Sequence, residues 1–283
     1  MLILFFRDNT AQSIKRFFSF FIYSNLFVAC CSLALFLSSQ IILGSKNTQL
    51  SFFVFFATIL AYNFQRIVRV AREQEHPRKH WIQRNRKTVV WLIIISAVIL
   101  GYCFFSFKFK TQIAIIFCGS LTFLYPFGLR KIPFLKIFII SITWTVSTFL
   151  LLITENDIAF DSNSAIHFLI RLFFIFSITI PFDIRDLIRD NPTLKTIPIF
   201  FGERKARVIS LSCLMLSQIM SGYLFYSKLL SFGFFVSIFI SFFITSILVL
   251  KSKSSNSEMY FSFWIESTSI MFYIILAISS CIV

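Results

Sequence analysis

A chain of 283 residues that is 57% apolar, 19% aromatic and only 14% charged, with a mean hydropathy of +0.83, is too oily for a soluble domain. Its apolar runs are continuous rather than alternating, which excludes a membrane β-barrel. The net charge of +15 is accounted for by membrane topology, so no nucleic-acid role is read from it. What remains is an all-α polytopic membrane protein, and with no linker or composition break it forms a single transmembrane domain over residues 1–283.

The opening MLILFF lacks a basic segment and a small-residue cleavage site, so the first apolar run is expected to stay in the protein. Crossing the hydrocarbon core takes roughly 20 residues per helix. On that measure about nine transmembrane helices are predicted, over 17–39, 50–66, 88–107, 111–127, 133–154, 165–183, 207–227, 231–250 and 260–283. Basic residues concentrate in alternate connections: Arg7 to Arg16, Arg66 to Lys87, Arg130 to Lys136, Arg185 to Arg207, and Lys251 with Lys253. Positive residues stay on the cytoplasmic side, so the alternation predicts a cytoplasmic N-terminus and an outward C-terminus, in a multi-pass protein of, by expectation, the bacterial inner membrane. The six cysteines all lie in apolar runs without metal-site or CxxC spacing and read as small core- or lipid-facing residues.

The two longest polar connections follow the second and sixth spans, a spacing that hints at a diverged duplication. The first begins in YNFQRIVRVAREQEHPRKHW, residues 62–81, where Arg66, Arg69 and Arg72 read as anchors at a helix end and HPRKH as solvated loop. After the fourth span comes YPFGLRK, with Tyr125, Arg130 and Lys131. Arg171 falls inside the sixth span, about 18 Å from Asp183 at ~1.5 Å per residue. It is expected to pair with Asp157 and Asp161 in the acidic outer loop or to reach toward the interface.

The second connection opens with PFDIRDLIRD, whose Asp183, Asp186 and Asp190 fall along one helical face. Two readings follow from that spacing. Arg185 and Arg189 neutralise the acids as a solvated pattern, or the acids hold a hard divalent cation, which takes carboxylate oxygens together with substrate phosphates.

The longer stretch RDLIRDNPTLKTIPIFFGERKAR resembles the second aspartate motif of the UbiA family of intramembrane prenyltransferases, through Asp186, Asp190, Lys195, Thr196, Pro198 and Gly202. YPFGLRK resembles the family's tyrosine-and-basic element, and WIE at 264–266 stands where the family often carries an acid. The resemblance implies a nine-helix bundle that moves a prenyl group from an allylic diphosphate to an aromatic or other lipophilic acceptor within the lipid bilayer, with Mg2+ as cofactor. It implies Asp186 and Asp190 as metal ligands and Asp183 as their support or a base. Asn63, Arg66, Arg69, Tyr125, Arg130 and Lys195 would then hold the diphosphate.

The family's first motif, Asn-x-x-x-Asp-x-x-x-Asp, is represented by Asn63 alone, because Ile67 and Ala71 occupy the acidic positions. Three explanations stand. Arg66 and Arg69 contact the diphosphate directly, as guanidinium groups do well; Glu73 or Glu75 completes a displaced metal site; or the bundle is catalytically silent and binds an isoprenoid lipid or a partner.

Overall fold

The computed structural model describes residues 17–71, 78–129, 132–187 and 195–282, and these are helical with short connections. Chain order gives α1 Phe17–Tyr23, α2 Leu26–Ile42, α3 Thr48–Ala71, α4 Lys79–Arg84, α5 Arg86–Phe104 and α6 Phe109–Leu124, the last followed by a 3-10 turn over Tyr125–Phe127. Then come α7 Leu135–Glu155, α8 Ser162–Asp186, α9 Ile197–Tyr226, α10 Phe232–Leu250 and α11 Tyr260–Cys281. Among the described residues seven helices are long and apolar enough to cross a membrane, and the bent pair α1–α2 makes eight. The remaining expected span, 111–127, is α6, whose 16 residues reach about 24 Å against a core of about 30 Å, so nine is not reached on length. The protein is an integral membrane protein.

The helices close a ring in which α3, α6, α7, α8, α9, α10 and α11 pack each on the next, α2 joins α11 back to α3, and α5 lies against α3. Lipid tails are as apolar as the side chains, so packing and interhelical hydrogen bonds hold such a ring together. Phe174 stacks on Phe242 (5.3 Å) and Phe272 (5.9 Å) where α8, α10 and α11 meet. Hydroxyls tie the helices: Ser32 to Thr58 at 2.7 Å, Ser39 to the Thr148 carbonyl at 2.7 Å and Ser217 to the Ile170 carbonyl at 3.3 Å. Much of the phenylalanine excess faces outward instead, as at Phe105, Phe109 and Phe232.

Three interruptions shape the charged end of the bundle. The first span is broken rather than continuous: α1 and α2 meet at 63°, with Asn25 in the left-handed region (φ 69°) that asparagine tolerates better than most residues. Irregular backbone at membrane depth survives only where its polar groups find protein partners. Asn63 of α3 supplies them, donating to the Ser24 carbonyl at 3.0 Å while its own oxygen accepts from Asn25 at 2.7 Å.

In α8, Pro181 has no N–H to give the Ser177 carbonyl one turn earlier, and the Ser210 hydroxyl of α9 takes that carbonyl at 2.9 Å. In α9, Gly202 lies at φ 79°, ψ 161°, so the helix begins at Ile197, turns at this glycine and resumes, rather than starting near residue 207.

Two π segments complete the picture, Val146–Leu150 in α7 and Tyr260–Ile265 in α11. In the first, the Ser147 and Thr148 hydroxyls both donate to the Trp144 carbonyl, at 3.1 and 2.7 Å, competing with the regular helical bond.

Candidate functional site: an ionic cluster at one end of the bundle

The last turns of α8 place Asp183 and Asp186 one turn apart on the inner face, both buried, at 2% and 8% exposure. They are not a solvated surface pattern. Asp183 makes an ion pair with Lys136 of α7, and the same ammonium stands 3.7 Å from Asp186 Oδ2. Arg185 embraces Asp186, Nε to Oδ1 at 2.8 Å and Nη2 to Oδ2 at 3.2 Å, and Arg69 also faces that carboxylate. Arg185 therefore does neutralise Asp186, inside the bundle rather than in water.

From Arg185 the cluster continues to Glu258, ahead of α11, whose Oε1 accepts from Arg185 Nη1 and from Arg78 Nη2, each at 3.2 Å. Arg78 is 3% exposed, donates to the Ile22 carbonyl of α1 at 3.0 Å and to the Ser262 hydroxyl, and lies over the Tyr23 ring at 4.9 Å. Burial pulls its guanidinium below the ordinary range, and the Glu258 and Glu266 carboxylates oppose that pull. HPRKH is thus not solvated loop throughout, because its Arg78 is an interior member of the cluster; His80 is exposed and His76 lies outside the described residues.

Arg66 donates to the Tyr23 carbonyl at 3.3 Å and lies 6.0 Å from the Tyr62 ring. Glu266 faces Arg78, Arg66 and Arg185 from α11. Below them, toward the apolar interior, the Trp144 indole N–H donates to the Tyr62 hydroxyl at 3.1 Å with the two rings edge to face.

The cluster thus gathers Asp183, Asp186, Arg66 and Arg69 of the residues expected from sequence. Asn63 is near but committed to the α1–α2 break, its amide also donating to the Ile59 carbonyl at 3.0 Å. Tyr125 is buried on the 3-10 turn beside α3. Lys195 is exposed, and its carbonyl accepts the Phe134 N–H at 3.0 Å. Asp190, Arg130, Lys131, Arg72, Glu73, Glu75 and Arg189 lie outside the described residues.

Arg78, Lys136 and Glu258 carry the cluster although nothing local in the sequence marks them. Their partners are distant in the chain, 180 residues apart for Arg78 and Glu258, and the only available signal was that all are charged residues flanking spans at the same end. Arg171 also differs from expectation. It donates to the Leu35 carbonyl at 2.8 Å and to Ser38 and Ser39 at 2.9 and 3.1 Å, clamping α8 to α2. Asp157 instead pairs with Lys108, and Asp161 caps α8 by accepting the Ser164 N–H at 2.8 Å.

As a metal centre, Asp183 and Asp186 offer hard carboxylate oxygens converging on one cation, the Lys136 ammonium standing in for it. That donor chemistry fits a divalent ion such as Mg2+. Among the described residues no group of three or more His, Cys, Asp or Glu converges.

The model of the UbiA prenyltransferase family matches residues 76–268, a stretch that begins just past the first-motif region. No curated protein sequence matches the chain. Among solved structures, a UbiA homologue from Archaeoglobus fulgidus bound to GPP and Mg2+ is similar at TM-score 0.63 and 14% identity, covering 92% of this chain and 99% of its own. A UbiA homologue from Aeropyrum pernix K1 without ligand is similar at TM-score 0.64 and 11% identity, covering 90% and 97%. A structure described for digeranylgeranylglyceryl phosphate synthase in membranes is similar at TM-score 0.61 and 14% identity, covering 93% and 98%. At these identities the likeness is one of fold.

Proposed function

Since the chain belongs to the UbiA prenyltransferase family, we propose that it transfers a prenyl group from an allylic diphosphate to a lipophilic acceptor, with the diphosphate held in the ionic cluster. The single observation that carries this is the concentration of Arg66, Arg69, Arg78, Lys136 and Arg185 with only four described carboxylates at the inner end of an oily ring. So many interior cations are costly in a membrane protein and serve an anion that enters from water. The arginines bind phosphate oxygens through paired donors, doing directly what acids and a bridging metal would do at the first motif.

Asp183 and Asp186, with Asp190, would hold Mg2+; when bound, the ion neutralises charge building on the departing diphosphate. The chain's own residues do the rest. The guanidinium groups orient the diphosphate, and the packed ring keeps water from the allylic carbon. Tyr62 and Trp144, hydrogen-bonded beside the cluster, would stabilise the developing carbocation, a contact of about 0.5 to 2 kcal/mol per ring. Lys195 and Arg130 would bind phosphate oxygens, as the family resemblance implies. The alternating basic connections support a cytoplasmic position for this end and for the N-terminus, and the membrane proposed is a bacterial inner membrane.

The test is to incubate the purified protein in native-lipid nanodiscs with geranyl diphosphate and Mg2+ and to identify products by mass. A geranylated lipid is expected from the wild type and none from Asp186→Asn, whose unfolding temperature should remain measurable as a single transition. Equal product from the mutant would contradict the assignment of Asp186. A second reading, a silent bundle that binds an isoprenoid without transferring it, is favoured by Ile67 and Ala71 where the first motif's acids would stand. It predicts retention of intact geranyl diphosphate with no product from either protein.

A further inference from the structure

Lys136 enters the cluster by a defined route. Phe134 precedes α7 in the left-handed region (φ 60°) and gives its N–H to the Lys195 carbonyl at 3.0 Å, which fixes the start of α7 against the segment leading into α9. Lys136, two residues on, reaches the last turns of α8. Its side chain is 15% exposed, and its ammonium is paired with Asp183 Oδ1 and lies 3.7 Å from Asp186 Oδ2, while the Asp183 side chain is 2% exposed. One cation from the protein thus sits between the two carboxylates that the fold turns inward. A compact ammonium on a flexible stem satisfies both in a dry site, where an unpaired carboxylate is expensive.

We infer that Lys136 is the resident counter-cation of the Asp183–Asp186 pair and competes with divalent ions for the same oxygens. This deepens the reading proposed above for the same site. A second cluster member has the same effect: the Arg185 fork occupies both oxygens of Asp186, so a divalent ion must displace contacts already made. The free protein therefore binds Mg2+ weakly, and a diphosphate, by drawing the ammonium to its own oxygens, vacates the carboxylates. A positioning residue of this kind makes metal loading depend on substrate, with the lysine neutralising the pair in the interval.

The experiment titrates Mg2+ alone onto the purified full-length protein in detergent and follows the unfolding temperature, for wild type, Lys136→Met and Lys136→Arg. Removing the ammonium leaves the pair one counter-cation short, so Lys136→Met should unfold earlier in EDTA and recover with Mg2+. Its half-maximal effect should come at a concentration about tenfold or more below that of the wild type. Lys136→Arg, which keeps the charge, should follow the wild type. The same Mg2+ response in all three would overturn the inference. Should Lys136→Met not fold in detergent, Lys136→Gln is judged by the same criterion. A parallel titration with geranyl diphosphate reports on the function separately: if it stabilises none of the proteins, diphosphate binding fails while the lysine result stands on the Mg2+ arm.

Discussion

Asn63 shows how one side chain carries local structure and a candidate role together. Its amide N–H groups serve the Ser24 and Ile59 carbonyls, both at 3.0 Å, and its oxygen takes the Asn25 amide at 2.7 Å. Asn63→Ala removes these bonds at a broken span and should cost about 1 to 3 kcal/mol. Asn63→Asp should cost more, because a carboxylate would face two carbonyl oxygens in place of a donor. Thermal unfolding of both variants in detergent tests the order; unchanged stability with weakened diphosphate binding would assign the residue to the ligand instead. Asp183 and Asp186 stood out by spacing, but spacing alone left a solvated pattern neutralised by Arg185 and Arg189 open beside a bound cation. Arg78 was not, because HPRKH reads as solvated until Glu258, Ser262 and the Ile22 carbonyl converge on it from distant parts of the chain.

The helices themselves were legible because apolar length is a strong signal: α8 and α10 lie close to their expected limits. Their interruptions were not, since each depends on a partner in another helix. Pro181 is tolerated within α8 because Ser210 of α9 takes the carbonyl it leaves free, and α1–α2 breaks where Asn63 receives it. Gly202 is the exception that local chemistry explains. At φ 79°, ψ 161° with nothing within 4 Å of an added Cβ, it is required for its backbone alone. Gly202→Ala should therefore destabilise by about 1 to 3 kcal/mol. Gly101→Ala, within α5 and also with nothing near an added Cβ, should be neutral or stabilise by about 0.5 to 1 kcal/mol. Unfolding temperatures of the pair check the contrast; equal shifts would mean that Gly202 does not hold the bend.

For the whole molecule, the alternating basic connections support the proposal that the charged end of the ring faces the cytoplasm. Single cysteines introduced into a cysteine-free background test it by labelling from either side. Position 253 should be protected from an impermeant reagent in intact cells and position 157 labelled, with the reverse pattern contradicting the orientation. Above these lies the claim that the interior cations exist for a diphosphate. Calorimetric titration of the purified protein with geranyl diphosphate and with geraniol, which share one hydrocarbon tail, tests it most directly. The account predicts that the diphosphate binds at least about a hundredfold more tightly, from charge-assisted contacts that the alcohol lacks; equal affinity for the two, or binding of neither, would contradict it.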